Sequence, residues 1–469
     1  MKKYFHSNAN FFLIVVLGFV FCFQACKKEE NIKASVVMPE VTIVSSELDP
    51  VTQTPISKKV IHLYKDTVYL CKDIITREAS EQLIIDEGTL IKIAGSGGFI
   101  INPGATITAN GTDDKPIVFT SNSQPGKQGI NWQGITITGK SFNNANGTDG
   151  VADDFSGVLK FVRIEFAPLT LTSIGNKTVV ENVMVSYTGL NAVTQDYTSA
   201  FNIYGGNFNT RNLIAYACGG PADFFISNGY TGNMQGLIAC RHPYFGSTGT
   251  NPVNAIAGIF IQNNAYNLPA PLPFTNPVIS NLTVIGTNAL LGSPGVYADT
   301  NSQAAALVTT RSCCFHLRNS LLLGYPAAGW ILDDNATAVN LEAGNGEFDY
   351  SIIQSNTPSR LFYLAPGTFN NATSTDFKNY MLGPLFSNRS LNESADFKFT
   401  NIVNYEPAPD LIPLAISPVF KGGANFAGTL YSNEFFKKDT TYIGAIGREN
   451  WYKKWANFSP LKTNYNFPN

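Results

Sequence analysis

Paired carboxylates are the residues of this chain whose type and spacing could carry acid–base chemistry. Asp153 is adjacent to Asp154, and Asp333 is adjacent to Asp334. Hydrolysis of a glycosidic bond requires two positioned carboxyl groups, one of which keeps its proton because its pKa is raised. Adjacent Asp residues more often accept hydrogen bonds from the backbone of their own turn. We therefore predict no catalytic residue and keep Asp153, Asp154, Asp333 and Asp334 as a weak alternative site.

Metal chemistry has little support in the sequence. The polar run at residues 143–150 looks like a calcium loop, but no frame puts oxygen donors at positions 1, 3 and 5 with Gly at position 6. We interpret it as a flexible polar corner loop. The mature histidines His62, His242 and His316 are far apart and lie beside aromatic or apolar residues. The sequence predicts neither a metal site nor a cofactor.

Aromatic residues crowd the region between 187 and 245. If their rings point outward, they form a platform on which sugar rings stack, with amide groups beside them. If their rings point inward, they belong to the core, and we favour the core. The residues are Tyr187, Tyr197, Tyr204, Tyr216, Phe224, Phe225, Tyr230, Tyr244 and Phe245.

The N-terminal residues carry a more specific signal. Lys2 and Lys3 precede an apolar run at residues 11–23, and Cys26 follows Gln24-Ala25. The run is shorter than the roughly 20 residues of a spanning helix, so it indicates an export signal over residues 1–25. The end of this signal resembles the lipobox of bacterial lipoproteins, in which the cysteine is acylated, for example with palmitate, and becomes the first mature residue.

The four residues after the cysteine form a second sorting signal. Lys27, Lys28, Glu29 and Glu30 resemble the signal that sends lipoproteins of the Bacteroidota to the outer face of the outer membrane. The resemblance implies lipidation at Cys26 and a location in the outer membrane, facing the cell exterior.

The elements that must position these residues are short strands separated by turns. Residues 83–91 and 99–107 share an apolar strand, a turn with Gly and a second strand with β-branched alternation. Further rungs lie at 132–137, 159–166, 181–185, 211–215, 280–284 and 318–322. Short strands that recur every 20 to 40 residues or so indicate stacked coils.

The alternation within a rung predicts which side chains point inward. In residues 159–166, Ile164 should face the interior, whereas Arg163 and Glu165 should face solvent and pair at the surface. In residues 181–185, Val183 and Val185 should point inward and Met184 outward, so that Met184 tolerates polar substitution.

Asn182, Asn212, Asn281 and Asn319 each stand immediately before an apolar strand. Asn stacked over Asn can pass amide hydrogen bonds from coil to coil, as at the corners of parallel β-helices. We therefore predict an all-β protein, a right-handed parallel β-helix like the solenoid of pectate lyases, with a small C-terminal cap. The predicted boundaries are 1–25 for the signal, 26–57 for the anchor and flexible tether, 58–410 for the β-helix and 411–469 for the cap. Trp451 and Trp455 are expected to cap the open last coil.

Composition narrows the class of protein. Removal of residues 1–25 leaves 30 basic and 34 acidic side chains, a net charge of −4, which argues against a nucleic-acid partner. Charged residues are 14% of the chain, below the roughly 25% of an average globular protein, as in many extracellular β proteins. Five cysteines follow Cys26, an odd number. A bridge between Cys218 and Cys240 remains an alternative to buried free thiols.

Several stretches resemble a family of large β-helix proteins of the Bacteroidota. The similarity lies in residues 86–91, 110–121, 131–134, 153–167 and 442–447, together with Trp451 and Trp455. It implies the fold and the surface location, but it brings no catalytic residues.

Two functions from different classes follow. The first is a non-catalytic surface lipoprotein that is attached to the membrane by its lipid and binds glycan or serves as an accessory subunit of an outer-membrane complex. The alternative is a polysaccharide-active enzyme, a lyase or glycoside hydrolase, with a groove along the β-helix. Several acidic or basic residues converging in one open groove would favour the enzyme.

Overall fold

Short apolar segments pair in parallel and form the wall of a solenoid. The computed structural model describes residues 38–123, 131–145, 149–189, 198–241, 256–264, 271–286, 305–402, 409–424, 426, 429–439 and 442–465. Pro39–Thr463 form one compact unit. Within the described ranges nearly all strand pairs are parallel and join successive coils, as between β-strands of residues 158–165 and 179–186.

The larger of two parallel sheets, here called the long sheet, receives one strand or two consecutive short strands from each coil. Its strands are β1 (Glu40–Thr42), β4 (Val60–Leu63), β5 (Val68–Cys71), β7 (Gln82–Ile85), β8 (Leu90–Ile93), β10 (Thr106–Asn110), β11 (Ile117–Ser121), β13 (Gly157–Glu165), β15 (Val179–Ser186), β17 (Thr210–Tyr216), β19 (Asn233–Cys240), β21 (Val278–Ile285), β23 (Phe315–Arg318), β24 (Leu321–Tyr325), β26 (Gly346–Asp349), β27 (Ile352–Ser355) and β29 (Arg389–Ser390).

The short sheet forms the opposing wall and takes one strand from each coil. Its strands are β6 (Ile74–Arg77), β9 (Gly98–Ile101), β12 (Ile135–Thr138), β14 (Leu169–Thr172), β16 (Phe201–Tyr204), β18 (Ala222–Ser227), β20 (Ala257–Gln262), β22 (Ala305–Thr310), β25 (Ala328–Leu332) and β28 (Phe362–Leu364). Two antiparallel pairs lie outside both sheets, β2 (Ser46–Leu48) with β3 (Pro55–Ser57), and β30 (Phe399–Asn401) with β31 (Asp410–Pro413). The strands begin at Glu40, inside the segment 26–57 that the sequence assigns to anchor and tether.

The interior of the solenoid is filled by alternate side chains of the strands. Ile164, Val183 and Val185 are fully buried in this core, which confirms the predicted inward register. Because each coil places its apolar side chains over those of the previous coil, one continuous core runs through the stack. The prediction of an all-β parallel β-helix is confirmed.

A column of residues in the left-handed conformation bends the long sheet. Asn182, Asn212, Asn281 and Asn319 have φ of 55°, 57°, 57° and 49°. Asn tolerates this conformation better than most residues, and Gly236 takes the same position between Asn212 and Asn281 with φ 75°. The predicted amide ladder is present where Asn212 Nδ2 donates to Asn182 Oδ1 at 3.0 Å.

Two short helices close the later coils. α1 (Asn335–Glu342) places Ala338 and Leu341 in the core. α2 (Ser374–Met381) begins with a capping box and buries Phe377 and Met381 in the same core. The ring centroids of Phe377 and Trp330 are 5.1 Å apart. The end of the interior is therefore covered by helix α2.

The C-terminal segment, here called the strap (the described part of residues 391–463), packs along the outer face of the long sheet. At one end Ser394 Oγ donates to Gln354 Oε1 at 3.2 Å. At the other end Lys454 Nζ lies 2.9 Å from an Asp113 carboxylate oxygen, in an early coil. The strap thus returns over the side of the solenoid, and its apolar residues form a second core with the outward side chains of the sheet.

The strap corrects two predictions. Met184 points out of the solenoid as predicted, but it is only 1% exposed because the strap covers it. Trp455 does not cap the last coil, since its ring packs against Phe161 at 6.0 Å, on an early coil. Trp451 stacks on Trp455 at 6.1 Å. The last coil is closed by α2 instead.

Candidate functional site

The residues expected to carry the lipid and the export address, Cys26 with Lys27, Lys28, Glu29 and Glu30, lie outside the described residues. In the described part of the chain no helix has both the length and the apolar character needed to cross a membrane. The lipid anchor therefore stays a prediction.

Asp153 and Asp154 point in different directions from one corner turn. Asp153 is exposed and lies 2.7 Å from Lys177 Nζ, whose hydrogen bond lowers the pKa of the Asp153 carboxyl. Asp154 is buried and accepts a hydrogen bond from Ser156 Oγ at 2.9 Å. One carboxylate belongs to a surface ion pair and the other to the structure of the turn.

Asp333 and Asp334 are likewise held by their local structure. Asp334 caps α1, accepting hydrogen bonds from Thr337 N at 2.9 Å and Thr337 Oγ1 at 2.7 Å. Asp333 accepts from Thr310 Oγ1 at 3.3 Å, and burial raises the pKa of its carboxyl. Six strand steps of the short sheet separate β12, next to Asp153, from β25, next to Asp333, about 29 Å along the stack. The two pairs do not form one site.

Glu165 is not at the surface, contrary to prediction. Its side chain leaves the outer face of the long sheet but is only 1% exposed, because the strap covers it. Asn457 Nδ2 donates to Glu165 Oε1 at 3.3 Å, across 292 residues of sequence. The carboxylate holds the strap to the sheet.

The polar run at residues 143–150 also differs from prediction where the structure describes it. Asn143 and Asn144 are buried, whereas the side chains of a polar corner loop would be exposed. Asn144 Nδ2 donates to Pro273 O at 2.8 Å and to Pro271 O at 3.2 Å, which joins this corner to a distant loop. Within the described ranges no group of three or more His, Cys, Asp or Glu residues is arranged to hold a metal ion.

The aromatic residues divide between two cores and the outer surface. Phe224 and Tyr230 lie in the interior, as the core interpretation predicts, whereas Tyr187 and Tyr216 are buried under the strap. Tyr204 and Phe225 point outward from the short sheet, and Phe225 stacks on Phe260 with centroids 5.4 Å apart. The rings of Phe225 and Phe260 therefore cover each other on one face, whereas Tyr204 is tilted by 60° against Phe225. Tyr197, Tyr244 and Phe245 lie outside the described residues.

The five cysteines among the described residues are buried free thiols, as predicted. Cys71, Cys218, Cys240, Cys313 and Cys314 form no disulfide. Burial raises the pKa of the Cys71 thiol to about 11 and that of Cys218 to about 12. Because the thiolate is the reactive form, these side chains are poor nucleophiles.

A cleft of about 590 Å³ opens where the strap crosses the long sheet, here called the strap cleft. Its floor comes from the left-handed column and the residues beside it, and its far wall comes from the strap. The lining residues are Arg211, Asn212, Gln235, Gly236, Asn281, Phe420, Lys437, Asp439, Tyr442, Ala445, Gly447, Arg448, Glu449 and Trp451.

Hydrogen bonds fix the two walls of the strap cleft to each other. Gln235 Nε2 donates to Lys437 O at 3.1 Å, and Lys437 N donates to Gln235 Oε1 at 2.9 Å. Asn281 Nδ2 donates to Tyr442 O at 2.9 Å. Side-chain amides of the sheet therefore hold the backbone of the strap at the cleft.

The charges of the strap cleft are of both signs. Arg211 lies 3.5 Å from Glu181 and over the Phe435 ring, and Arg448 lies over the Phe420 ring at 4.6 Å. Burial raises the pKa of the Tyr442 phenol to about 12, and the charges of Asp439 and Glu449 add to this rise. Both carboxylates therefore lie within electrostatic reach of one phenol.

The sequence did not point to this cleft, because its residues come from rungs near 211, 235 and 281 and from a strap whose lining residues begin 139 positions later, at Phe420. One signal was available. The runs at residues 213–218 and 237–240 are apolar at both parities, which is typical of strands that are buried on both faces. Such strands require a cover, and the C-terminal segment provides it.

Comparison with known families finds one match. A family model for a pectate-lyase-like β-helix domain matches residues 55–353. No curated protein and no solved structure matches the chain. The matched range covers the coils up to β27 and ends before the strap.

Proposed function

We propose that the coils of this chain, which belongs to the family of pectate-lyase-like β-helix domains, serve as a scaffold for ligand binding rather than for catalysis. The proposed protein is a lipoprotein of the outer membrane, anchored through Cys26 and facing the cell exterior. Its ligand is a glycan, which it holds in the strap cleft without cleaving it.

The observation that carries this proposal is the lining of the strap cleft. Ligand sites are concave, measure roughly 300–1,000 Å³ and combine aromatic surface with a few polar groups. The strap cleft, at about 590 Å³, has the rings of Phe420, Tyr442 and Trp451 beside the carboxylates of Asp439 and Glu449. Aromatic rings and carboxylates are the groups that suit the apolar faces and the hydroxyl groups of a sugar.

Binding is favoured over turnover because two of the three cations that line the strap cleft, Arg211 and Arg448, already have structural partners. Arg211 pairs with Glu181 and packs on Phe435, and Arg448 packs on Phe420. The paired carboxylates considered from the sequence lie in other corners of the solenoid. An accessory role in an outer-membrane complex is compatible with the same anchor and is tested by co-purification from solubilised outer membranes.

The binding experiment uses the purified full chain and a panel of acidic and neutral glycans. Asp439→Asn and Glu449→Gln should each weaken binding by about tenfold or more, since a hydrogen bond to a charged group contributes about 1.5–3 kcal/mol. Asp153→Asn removes an exposed carboxylate elsewhere and serves as the control. Binding that both cleft variants leave unchanged would refute the assignment of the site.

A second function is favoured by one observation, the convergence of Asp439 and Glu449 with basic residues in one open cleft. Two carboxylates beside a bound sugar are the requirement for glycoside hydrolysis. The same panel is therefore assayed for new reducing ends and for unsaturated uronate absorbance, with and without calcium. Turnover lost in Asp439→Asn or Glu449→Gln, but kept when Asp153 and Asp154 are replaced, would establish the enzyme and overturn the binding module.

A further inference from the structure

Exposed apolar side chains are concentrated at the N-terminal end of the solenoid. Among the described residues sixteen large apolar side chains are exposed, and eight of them lie between residues 41 and 74. They are Val41, Val44, Leu48, Val51, Ile56, Val60, Tyr64 and Ile74. Single exposed apolar residues need no explanation, but the concentration of half of the exposed set within residues 41–74 points to an interaction surface.

The most prominent part of this surface is the β2–β3 hairpin. Val44, Leu48, Val51 and Ile56, here called the hairpin patch, are 52%, 60%, 87% and 39% exposed. Val51 lies in the connecting loop, beyond the last paired residues of the two strands. Because Glu47 lies opposite Ile56 and Pro55 lies opposite Leu48, Leu48 and Ile56 point to opposite faces, and the hairpin patch surrounds a ribbon only two strands wide.

Hydrogen bonds hold this hairpin in place. Asp49 Oδ1 accepts from Val51 N at 2.8 Å and from Thr52 N at 2.7 Å, which orders the loop. At the base, the buried Arg77 donates to Lys58 O and to Ser57 Oγ, both at 2.8 Å, and pairs with Glu81 at 2.9 Å. The first coil thus presents the apolar loop in a fixed position.

The hairpin patch lies on the end of the stack that is nearest in sequence to the anchor. In the described chain β4 pairs only with β7 and β6 only with β9, so β4, β5 and β6 form the first complete coil, and β1 pairs with β5 on its outer side. Eleven residues lie between Cys26 and Met38, and the twelve steps along the chain allow a reach of at most about 43 Å. A lipid on Cys26 would keep this end close to the bilayer.

We propose that the hairpin patch inserts into the interface of the bilayer to which Cys26 is anchored. The occupant is lipid rather than protein because the anchor limits how far this end can move from the membrane. Insertion buries the apolar side chains, while Lys58 and Lys59 at the base of the hairpin stay at the level of the headgroups. Glu47 and Asp49 balance these lysines, so contact should depend on apolar burial and not on lipid charge. The inference rests on the lipid anchor of the proposed function.

The test places a polarity-sensitive fluorophore on Val51→Cys in the full lipidated chain. The five cysteines of the described chain are buried and free, so the introduced thiol is the accessible one. Val339→Cys, which is 49% exposed on α1, is the matched control. After reconstitution into phosphatidylcholine vesicles, we expect the Val51 label to gain intensity several-fold and to be quenched by brominated lipid. The Val339 label should do neither, and added phosphatidylglycerol should change the Val51 result little.

The outcomes separate the two proposals. If the chain partitions into vesicles through Cys26 but the Val51 label stays in a polar environment, the hairpin patch does not contact lipid and the inference is wrong. If the Val51 signal rises with protein concentration in the absence of vesicles, the occupant is a second copy, which also overturns it. If the Cys26→Ala chain partitions like the wild type, Cys26 does not anchor the chain. The proposed lipid anchor is then wrong, and so is the insertion of the hairpin patch that rests on it.

Discussion

At the scale of single residues, the left-handed column shows how side-chain chemistry sets the bend of each coil. A residue with a Cβ atom pays roughly 1–2 kcal/mol for this conformation, and Asn reduces the cost with local hydrogen bonds. Asn319 Oδ1 accepts from Ala424 N at 2.7 Å, and Asn281 binds the backbone of the strap. The left-handed column therefore also attaches the strap, through the side-chain amides of Asn281 and Asn319.

Asn212 allows the two contributions to be separated. Asn212→Gly keeps the left-handed conformation but loses the hydrogen bond to Asn182, whereas Asn212→Ala loses both. We expect Asn212→Ala to lower the free energy of unfolding by about 2 kcal/mol and Asn212→Gly by about 1 kcal/mol. Urea unfolding of both variants measures the difference. Equal losses would show that the backbone conformation contributes nothing at this position.

A buried ion pair is the other feature of single residues that the sequence did not reveal. Asp223 and Arg241 are almost fully buried, with Arg241 Nε 3.3 Å from Asp223 Oδ2. The guanidinium also donates to Cys218 O and Ala257 O, both at 3.0 Å. Burial raises the pKa of the Asp223 carboxyl to about 7, while the Arg241 charge opposes this rise.

Removal of both partners of this pair should cost less than the sum of the two single removals. At pH 8, where the Asp223 carboxyl is ionised, Asp223→Ala leaves a buried guanidinium without its counter-charge and should cost about 3–5 kcal/mol. Arg241→Met should cost a similar amount, and the double variant should cost less than the sum. A double-mutant cycle from chemical unfolding provides the test. Additive losses would mean that the pair contributes no coupling.

At the scale of elements, the rungs were predictable and the strap was not. Period-two alternation and an Asn immediately before an apolar strand predicted the coils and the inward position of Ile164. These patterns lie within a few residues of the chain, so they are visible in the sequence. The strap consists of short strands, turns and 3₁₀ segments such as Pro418–Phe420, which leave no periodicity. Its partners are distant in sequence, as with Asn457 and Glu165. The strap cleft forms only where the strap packs on the long sheet. Because local sequence patterns do not predict this packing, they did not identify Asp439 and Glu449 as residues of one site.

Met184 tests the contribution of the strap to stability. The alternation alone predicts that Met184 tolerates substitution, but the strap buries its side chain. We expect Met184→Ala to lower the free energy of unfolding by about 2–3 kcal/mol, because it leaves a cavity under the strap. Thr136→Ala, also on an outward position but on the short sheet, should stay within about 0.5 kcal/mol. Two equally mild variants would indicate that the strap is not packed on the sheet in solution.

At the scale of the whole molecule, the N-terminal end would attach the protein to the membrane and the C-terminal end would form the ligand site. The coils provide a stack in which each element rests on its neighbours, and the C-terminal strap adds the cleft along one side. The N-terminal end would hold this stack at the membrane through the lipid and the hairpin patch. A ligand in the strap cleft would then be held at the cell surface.

Attachment and display are separable by substitution at the N-terminus. Cys26→Ala removes the acylated thiol, so the chain should move from the membrane fraction to the aqueous phase in a detergent-partition assay. Replacement of Lys28, Glu29 and Glu30 by Ala keeps the thiol, so the chain should stay lipidated but face the cell interior. External protease should then cleave the wild type on intact cells and spare this variant. Equal cleavage of both would show that these residues are not the export address, and membrane attachment of the Cys26→Ala chain would show that the lipid is not the anchor.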